Sequence, residues 1–414
     1  MKNLNVPNLS FKREQSETCF DSAERVINQK QNVPNLRFPE FIEDWDQKSI
    51  SDVANVVGGG TPDTTIAEYW DGNIQWFTPS EIGKSKYISK SERKITQSGL
   101  NNSSAKILPQ GTILLSTRAT IGECSIAMEE CSTNQGFQSL ISKSNYNSEF
   151  VYYLIQTKKK DLIRNACGST FLEISANEVR KIKCRVPQIN EQDKITQLLS
   201  LIDKRIATQN KIIEDLKKLK VAIIENAFCG KHYNYKIGDI ITQISNRNKS
   251  NKETNVLSVS NKLGFVEQSE QFEDRTVASE DVTNYKIVRT NDFAYNPARI
   301  NVGSIARLKQ YESGIVSPMY ICFHAKKNVL PEYLEMFFLT QYFKHEMYKR
   351  LEGSVRLCLS FEGLTNIPIS IPEIPLQKEI SKKILAFETK IGIEEHYLNA
   401  LEKQKQYLLQ QMFI

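Results

Sequence analysis

Apolar positions along this chain follow two regimes. Between residues 187 and 230, Ile195, Leu199, Ile202, Ile206, Ile213, Leu216, Ile223 and Ala227 fall at steps of four and three once the polar positions Gln209 and Lys220 are counted in. That spacing keeps them on one stripe of a helix and predicts the seam of a coiled coil. The stretch 372–414 repeats the design at a constant offset of 185, from Pro187 to Pro372. Its seam is Ile380, Ile384, Phe387, Ile391, Leu398, Leu401, Leu408 and Met412, with polar breaks at Glu394 and Lys405. Each helix of about 38 residues is about 57 Å long, the scale of a spacer and too long for one small core. If the two pack antiparallel about a two-fold axis, Lys220 faces Glu394 and Gln209 faces Lys405. Paired breaks of this kind cost stability and pin register. Two unrelated amphipathic helices with solvated breaks are the plain alternative.

Elsewhere the pattern is short and mixed. Thr112–Leu115 and Gln138–Ile141, bounded by Gly and Asn, read as strands. The run 149–164 reads as one helix, and so does its parallel at 331–350. Arg118 and Gly122 match Arg299 and Gly303 at offset 181, and Gly168-Ser169 matches Gly353-Ser354 at offset 185. The chain therefore reads as body, long helix, body, long helix, a tandem repeat of α/β (α+β) bodies. The boundaries are a loosely ordered leader over 1–31, a first body over 32–186, a spacer over 187–230, a second body over 231–371 and a second spacer over 372–414. Asn-Val-Pro-Asn-Leu occurs at 5–9 and again at 32–36. It is either a register-keeping docking strand or an extended, dispensable leader.

Composition narrows the function. At 414 residues with 40% hydrophobic content the chain can fill real cores, and its net charge of +6 is a mild pointer to a polyanion. The eight cysteines form no CxxC pair, which suits a reducing cytosol, and no apolar run approaches the length of a membrane span. The reading is a cytoplasmic protein with no membrane partner. Catalytic signatures fail one by one. Gly83-Lys84-Ser85 has the tail of a P-loop, but Thr78 stands where its first glycine belongs. Gly58-Gly59-Gly60-Thr61-Pro62 is not a dinucleotide fingerprint, Asn296-Pro297 is followed by Ala298, and His232, His324, His345 and His396 are scattered. Asp46 and Lys48 are half of a nuclease-like pair and no more. The expectation is a binding subunit with no metal, no cofactor and no catalytic residue of its own.

Candidate nucleic-acid contacts follow from side-chain chemistry. Lys158, Lys159, Lys160 and Arg164 end one helix, and Lys344, His345, Lys349 and Arg350 end its parallel. These would meet phosphates and set salt sensitivity, although cations at a helix C-terminus are also good electrostatics. Forked or amide side chains that could reach base edges are Asn101, Asn102, Arg118, Asn134 and Gln135 in the first body, with Asn246, Arg247, Asn248, Arg299, Asn301 and Arg356 in the second. Any one of them alone also suits a turn or a cap.

The run GGGTPDTTIAEYWDGNIQWFTPSEI, then GTILLSTRATIGE, STNQGF and VPQINEQDKITQLLSLIDKRI, resembles the specificity (S) subunit of type I restriction–modification systems. VSPMY, GSVR and IPEIPLQKEI extend the resemblance through the second half, so it covers about residues 32–414, although 238–251 departs from the glycine- and tryptophan-rich stretch of the first half. It implies a non-catalytic subunit with two target-recognition domains, each reading one part of a bipartite site on double-stranded DNA. It implies that the helices set the gap and dock two modification (methyltransferase) subunits. It also implies restriction (translocase/nuclease) subunits, with S-adenosylmethionine, ATP and Mg carried by those partners. The rival classes are a coiled-coil scaffold without DNA reading and a methyltransferase or nuclease fusion.

Overall fold

Two continuous helices, Ile189–Phe228 and Ile374–Met412, account for the periodic stretches in the computed structural model. The structure describes residues 32–168, 172–228, 233–261, 263–268, 281–354 and 356–414. The leader 1–31, Ser169 and His232 lie outside the described residues, as does the end of the first spacer at 229–230. All sixteen seam positions are buried or half-buried, as a hydrophobic stripe at this period requires.

The chain divides into two compact units, one running up to Arg205 and including Leu401–Ile414, the other Ile206–Ala400. Each unit therefore holds part of both long helices. In the first, Ile195 and Leu199 share a core with Met412, Phe413 and the body helix residues Phe150–Ile155. In the second, Ile224, Ala227 and Phe228 share one with Ile384, Tyr333 and Phe337. Fully burying each such aliphatic or aromatic side chain is worth about 1.5–3 kcal/mol, so the helices are held chiefly by the bodies they carry.

The helices run antiparallel, and their register differs from the one expected. Within the second unit Lys220 pairs with Glu388 at 2.6 Å and Lys217 with Glu395 at 2.6 Å. Gln209 Nε2 donates to the carboxylate and the backbone carbonyl of Glu394. Within the first unit Lys405 pairs with Asp203 at 2.7 Å. Lys220 thus does not meet Glu394, nor Gln209 Lys405. Asp203–Lys405 and Glu388–Lys220 are instead one pair seen twice at the repeat offset, and Gln209 meets its own counterpart, Glu394. The two-fold expectation paired break with break, whereas each lysine break meets an acidic residue outside the apolar seam, Glu388 or Asp203.

Each body rests on its helix through a buried glutamine. Gln192 Nε2 donates to the Pro187 carbonyl at 2.9 Å, and its oxygen accepts from the backbone N–H of Asn147 at 3.0 Å. Gln377 repeats this with Pro372 at 2.7 Å and Leu330 N–H at 2.8 Å. Asn147 and Leu330 are the N-cap residues of the two body helices. One amide therefore ties the start of a long helix to the start of a body helix, twice.

The body helices are each broken. Ser148–Thr157 ends at Lys158, from which Lys159–Arg164 restarts, and Pro331–Phe337 is followed by Gln341–Tyr348. In the second case Thr340 caps the restart, its hydroxyl accepting from Phe343 N–H, as a buried threonine before a helix favours. In the first, Lys158 leaves the helical region at ψ 7° and closes one helix while opening the other.

The first body carries a five-stranded sheet in the spatial order 54–58, 138–142, 113–115, 124–127, 87–88, and a three-stranded sheet of 93–95, 70–77 and 131–133. The second carries two four-stranded sheets, one of 241–244, 321–325, 293–295 and 305–307, the other of 264–267, 256–260, 313–316 and 286–289. A short ribbon, 46–49 with 183–186 or 235–236 with 368–369, closes each body onto its long helix.

Gln192→Leu and Gln377→Leu should each strand a buried carbonyl and a buried N–H, at about 1–3 kcal/mol. Urea unfolding of the two variants measures this. A change in either within about 0.5 kcal/mol, the range of an ordinary surface substitution, would mean that the amide holds nothing.

Candidate nucleic-acid interface

Equivalent hairpins present the two matched arginines. In the first body Ile113–Leu115 and Cys124–Ala127 are buried along their whole length, and of the connection 116–123 only 118–120 are exposed. Arg118 sits at its tip, followed by Ala119 at φ +55°. That conformation costs a residue with a Cβ about 1–2 kcal/mol. In the second body the strands Phe293–Tyr295 and Ile305–Arg307 carry the tip, with Arg299 exposed ahead of a short helical turn at Ile300–Val302.

The matched glycines have a conformational reason. Gly122 and Gly303 both adopt positive φ, +88° and +94°, to turn the tip back into its return strand. A Cβ on Gly122 would also come within 2.7 Å of Lys159 Cγ. Gly168 and Gly353 do the same in a second, smaller turn, closed by the bridges Cys167–Glu173 and Glu352–Cys358. This turn lies beside the tip in each body. Ile174 N–H donates to the Thr117 carbonyl, and Leu359 N–H to the Pro297 carbonyl.

The electrostatics of the two tips differ. Arg118 pairs with Glu173 at 2.8 Å, both about 40% exposed. The position matching Glu173 is Cys358, and Arg299 has no ion-pair partner among the described residues. One frame thus presents an ion-paired arginine in one body and, among the described residues, an unpaired one in the other.

Other candidates gather at these tips to different degrees. Asn134 and Gln135 lie on the turn beside Arg118, since Thr117 N–H donates to the Gly136 carbonyl. Asn134 accepts from Gly136 N–H, shaping that turn, while Gln135 is exposed and bonded to Thr61. Lys159 reaches the same tip and pairs with Glu123 at 2.5 Å. Lys160 is exposed with no ion-pair partner among the described residues, Arg164 lies 3.5 Å from Asp161, and Lys158 donates to the carbonyl of Ile414. In the second body Asn301 lies on the tip and accepts a bond from Tyr348 through its carbonyl. Lys349 and Arg350 both bind the nearly buried Glu346, whose hydrogen bonds outweigh its burial and hold its carboxyl below the usual range. Arg356 is exposed on the small turn.

Five candidates belong to local structure. Asn101 accepts from Gln97 and Asn102 caps the helix Gln97–Asn101, next to the three-stranded sheet. Arg247 bonds Asn284, and its neighbour Asn246 accepts from Ile287 N–H. Asn248 is buried, both ends of its amide gripping the backbone of Glu253. Gly59 and Gly60 serve close packing, for a Cβ on either would fall within 2.5 Å of the backbone at 134 or 105. No group of His, Cys, Asp or Glu among the described residues is placed to hold a metal, and no described helix is long and apolar enough to cross a membrane.

One polar cluster escaped sequence reasoning. Lys86 Nζ lies 2.5 Å from Glu149, 2.9 Å from Tyr153 Oη and 2.8 Å from Ser200. Tyr153 donates to Asp203, which also holds Lys405. Body strand, body helix and both long helices of the first unit thus meet in one network. Burial pulls Lys86 below the usual lysine value, against the pull of Glu149. Burial likewise raises Glu149, but Lys86, Tyr87 and Ser200 together hold it below the usual carboxylate range. Lys86 and Ser200 carry no motif, so only their meeting identifies them.

Residues 42–218 and 231–403 each match a family model described as the type I restriction modification DNA specificity domain. The chain is 40% identical over 193 residues to the type I restriction enzyme MjaIX specificity subunit of Methanocaldococcus jannaschii, covering 45% of this chain and 44% of that one. It is 28% identical over 190 residues to the EcoR124I/EcoR124II specificity subunit of Escherichia coli, covering 44% and 46%. The matched part thus spans less than half the length of either relative. A crystal structure of a type I restriction-modification system S subunit from M. genitalium shares the fold with a TM-score of 0.52 at 16% identity, over 92% of this chain and 99% of that one.

Glu149→Gln should lower stability at neutral pH by about 1–2 kcal/mol, a charged hydrogen bond's worth reduced for partial exposure. Because the folded carboxyl sits below its ordinary value near 4.5, its contribution is present above that pH and lost as pH falls through the depressed value. Thermal unfolding of wild type and variant should therefore converge in acid. A difference that does not change with pH would show that Glu149 acts by shape alone.

Proposed function

Because this chain belongs to the type I restriction modification DNA specificity domain family, we propose that it is the non-catalytic subunit that chooses the DNA sequence on which partner subunits act. The observation that carries this reading is one duplicated frame presenting two unlike tips. Matched glycines and backbone bonds hold the hairpin in both bodies, while Arg118 is paired with Glu173 and Arg299 is not. A protein that reads two different half-sites needs a common support and separate reading surfaces.

In this account Arg118, Asn134 and Gln135 in the first body, and Arg299, Asn301 and Arg356 in the second, approach base edges. Lys159, Lys160, Arg164, Lys349 and Arg350 face phosphates and set salt sensitivity. Lys158, Asn101, Asn102, Asn246 and Arg247 have local structural partners and stand further from reading. A 40-residue helix is about 60 Å long, against about 34 Å per turn of DNA, so the helices have the length to set a gap between half-sites. The partners are double-stranded DNA, two modification subunits supplying S-adenosylmethionine, and restriction subunits using ATP and Mg. A target adenine must leave the base stack for methylation, which calls for a modification subunit beside each reading body.

Co-expression with the modification subunit, followed by genome-wide mapping of methylated adenines, tests the reading. The expected result is a bipartite motif with a fixed gap; a continuous palindrome or no methylation overturns it. Arg299→Ala should relax one half of the motif, at about 1–3 kcal/mol per lost base contact. Inserting four residues after Lys211 should lengthen the gap and leave both half-sequences unchanged, read by the same mapping. Altered half-sequences at an unchanged gap would remove the helices from the role of spacer.

A further inference from the structure

Trp70 and Trp76 form a small apolar core with Ile95 and Ala105 on the three-stranded sheet of the first body. Both indoles are tied to the backbone. Trp76 Nε1 donates to the Gly60 carbonyl at 2.9 Å, and Trp70 Nε1 to the Asp63 carbonyl at 3.1 Å. Trp70 and Ile74 both stand opposite Ile95, so the strand bulges between them. The bulge carries Asp71 at φ +58° and Gly72, where a Cβ would fall 2.4 Å from the Ile95 carbonyl oxygen. It folds Trp70 back until the two rings meet edge to face, 5.1 Å apart.

Arg93 covers this pair. It stands opposite Trp76 in the ladder, and its guanidinium carbon lies 3.5 Å from the centre of the Trp70 ring. A guanidinium held by its face against an indole keeps its N–H edge for another partner. Arg93 is exposed and has no acidic partner among the described residues. Glu81, which reaches the adjacent residue 92, is engaged elsewhere. Its carboxylate accepts from the N–H and hydroxyl of Thr78 and from Glu92 N–H.

Arg93 leaves the sheet at the end that carries the Arg118 tip. Trp76 and Phe77 lie opposite Ser132 and Thr133, after which Asn134 N–H donates to the Phe77 carbonyl and the turn 134–136 begins. That turn accepts from the N–H of Thr117, next to Arg118. Two strand spacings separate Arg93 from Ser132, about 10 Å, or about three base-pair steps of duplex. A lid on Trp70 needs only apolar cover, which a methionine also supplies. The planar fork adds a capacity that such a lid lacks, two parallel N–H donors in a fixed geometry.

We infer that Arg93, held by Trp70, is a specificity-determining residue of the first body and reads a guanine through its O6 and N7; this rests on the reading of the chain as the subunit that chooses the DNA sequence. Guanine offers two acceptors side by side on its major-groove edge, and a bidentate arginine is the commonest contact to them. Stacking on the indole orients the fork before DNA arrives, so less side-chain freedom is lost on contact. All three tryptophans of the chain, Trp45, Trp70 and Trp76, lie in the first body. The second body therefore has no such platform, and the contact serves one half-site alone.

Arg93→Met in the full chain, co-expressed with the modification subunit and read by mapping of methylated adenines, tests this. Methionine keeps Trp70 covered, so thermal unfolding should match the wild type. One guanine position in one half of the motif should become degenerate, its preference over the other bases falling about tenfold or more, while the other half keeps its sequence. Methylation that weakens evenly at all sites with an unchanged motif would make Arg93 a phosphate contact and overturn the inference. A lowered Tm with methylation lost everywhere would make it a lid and overturn it equally. A wild type that methylates no bipartite motif defeats the underlying reading, whereas a bipartite motif that Arg93→Met leaves intact defeats this inference alone.

Discussion

A buried amide cannot go unpaired, and in each unit the side chain that meets this demand also decides where a body rests on its helix. Gln192 and Gln377 each bond a proline carbonyl at the start of a long helix and the N-cap backbone of a body helix. Apolar packing around them is worth more in total, but it is non-directional. The amide has directed donors and an acceptor to place, and Gln377 uses both N–H groups, on the Pro372 and Asn328 carbonyls, so it selects one seat out of the many that hydrophobic contact would tolerate. Everything a body presents to solvent inherits its position from that seat.

The long helices follow the same division of labour. Their seams are apolar and supply affinity, while register falls to the polar breaks. Asp203 with Lys405, and Glu388 with Lys220, are one ion pair repeated at the offset of the duplication. Such half-exposed pairs contribute little to stability individually. Their value is discrimination, since a slipped register would bury Gln209 or a lysine against the apolar seam. In the first unit this pair extends into the network of Lys86, Glu149 and Tyr153, whereas the second unit packs Phe228 against Tyr333 and Phe337. The first unit thus adds a polar network to its apolar core where the second adds an aromatic cluster.

On this support the reading tips diverge. Backbone-to-backbone bonds and left-handed glycines fix the hairpins in both bodies, and apart from the glycines these do not depend on which side chains the tips carry. The tip side chains are consequently free to change without loss of fold. Where the first body has Glu173 paired with Arg118, the second has Cys358 at the matching position, which changes the charge available to the tip. That separation of frame from surface leaves two unlike tips on one duplicated support.

The chain alone determined the duplication, the two long helices, their seam and the matched arginines and glycines, because each is a periodicity or an offset and both survive without coordinates. It did not determine the partners of Gln209, Lys220 and Lys405, since several acidic residues lie along the facing helix and which of them a break meets is fixed only when the helices pack. Nor did it reveal the breaks at Lys158 and ahead of Thr340, beyond which Leu162 and Phe343 are buried. The candidate DNA residues divided in the same way. Arg118, Asn134 and Gln135 came together at one tip, while Asn102 and Asn248 proved to be bonded to nearby backbone. Lys86, Gln192 and Gln377 were unreadable in advance, because a polar residue becomes an anchor only when burial removes water and leaves it one set of partners.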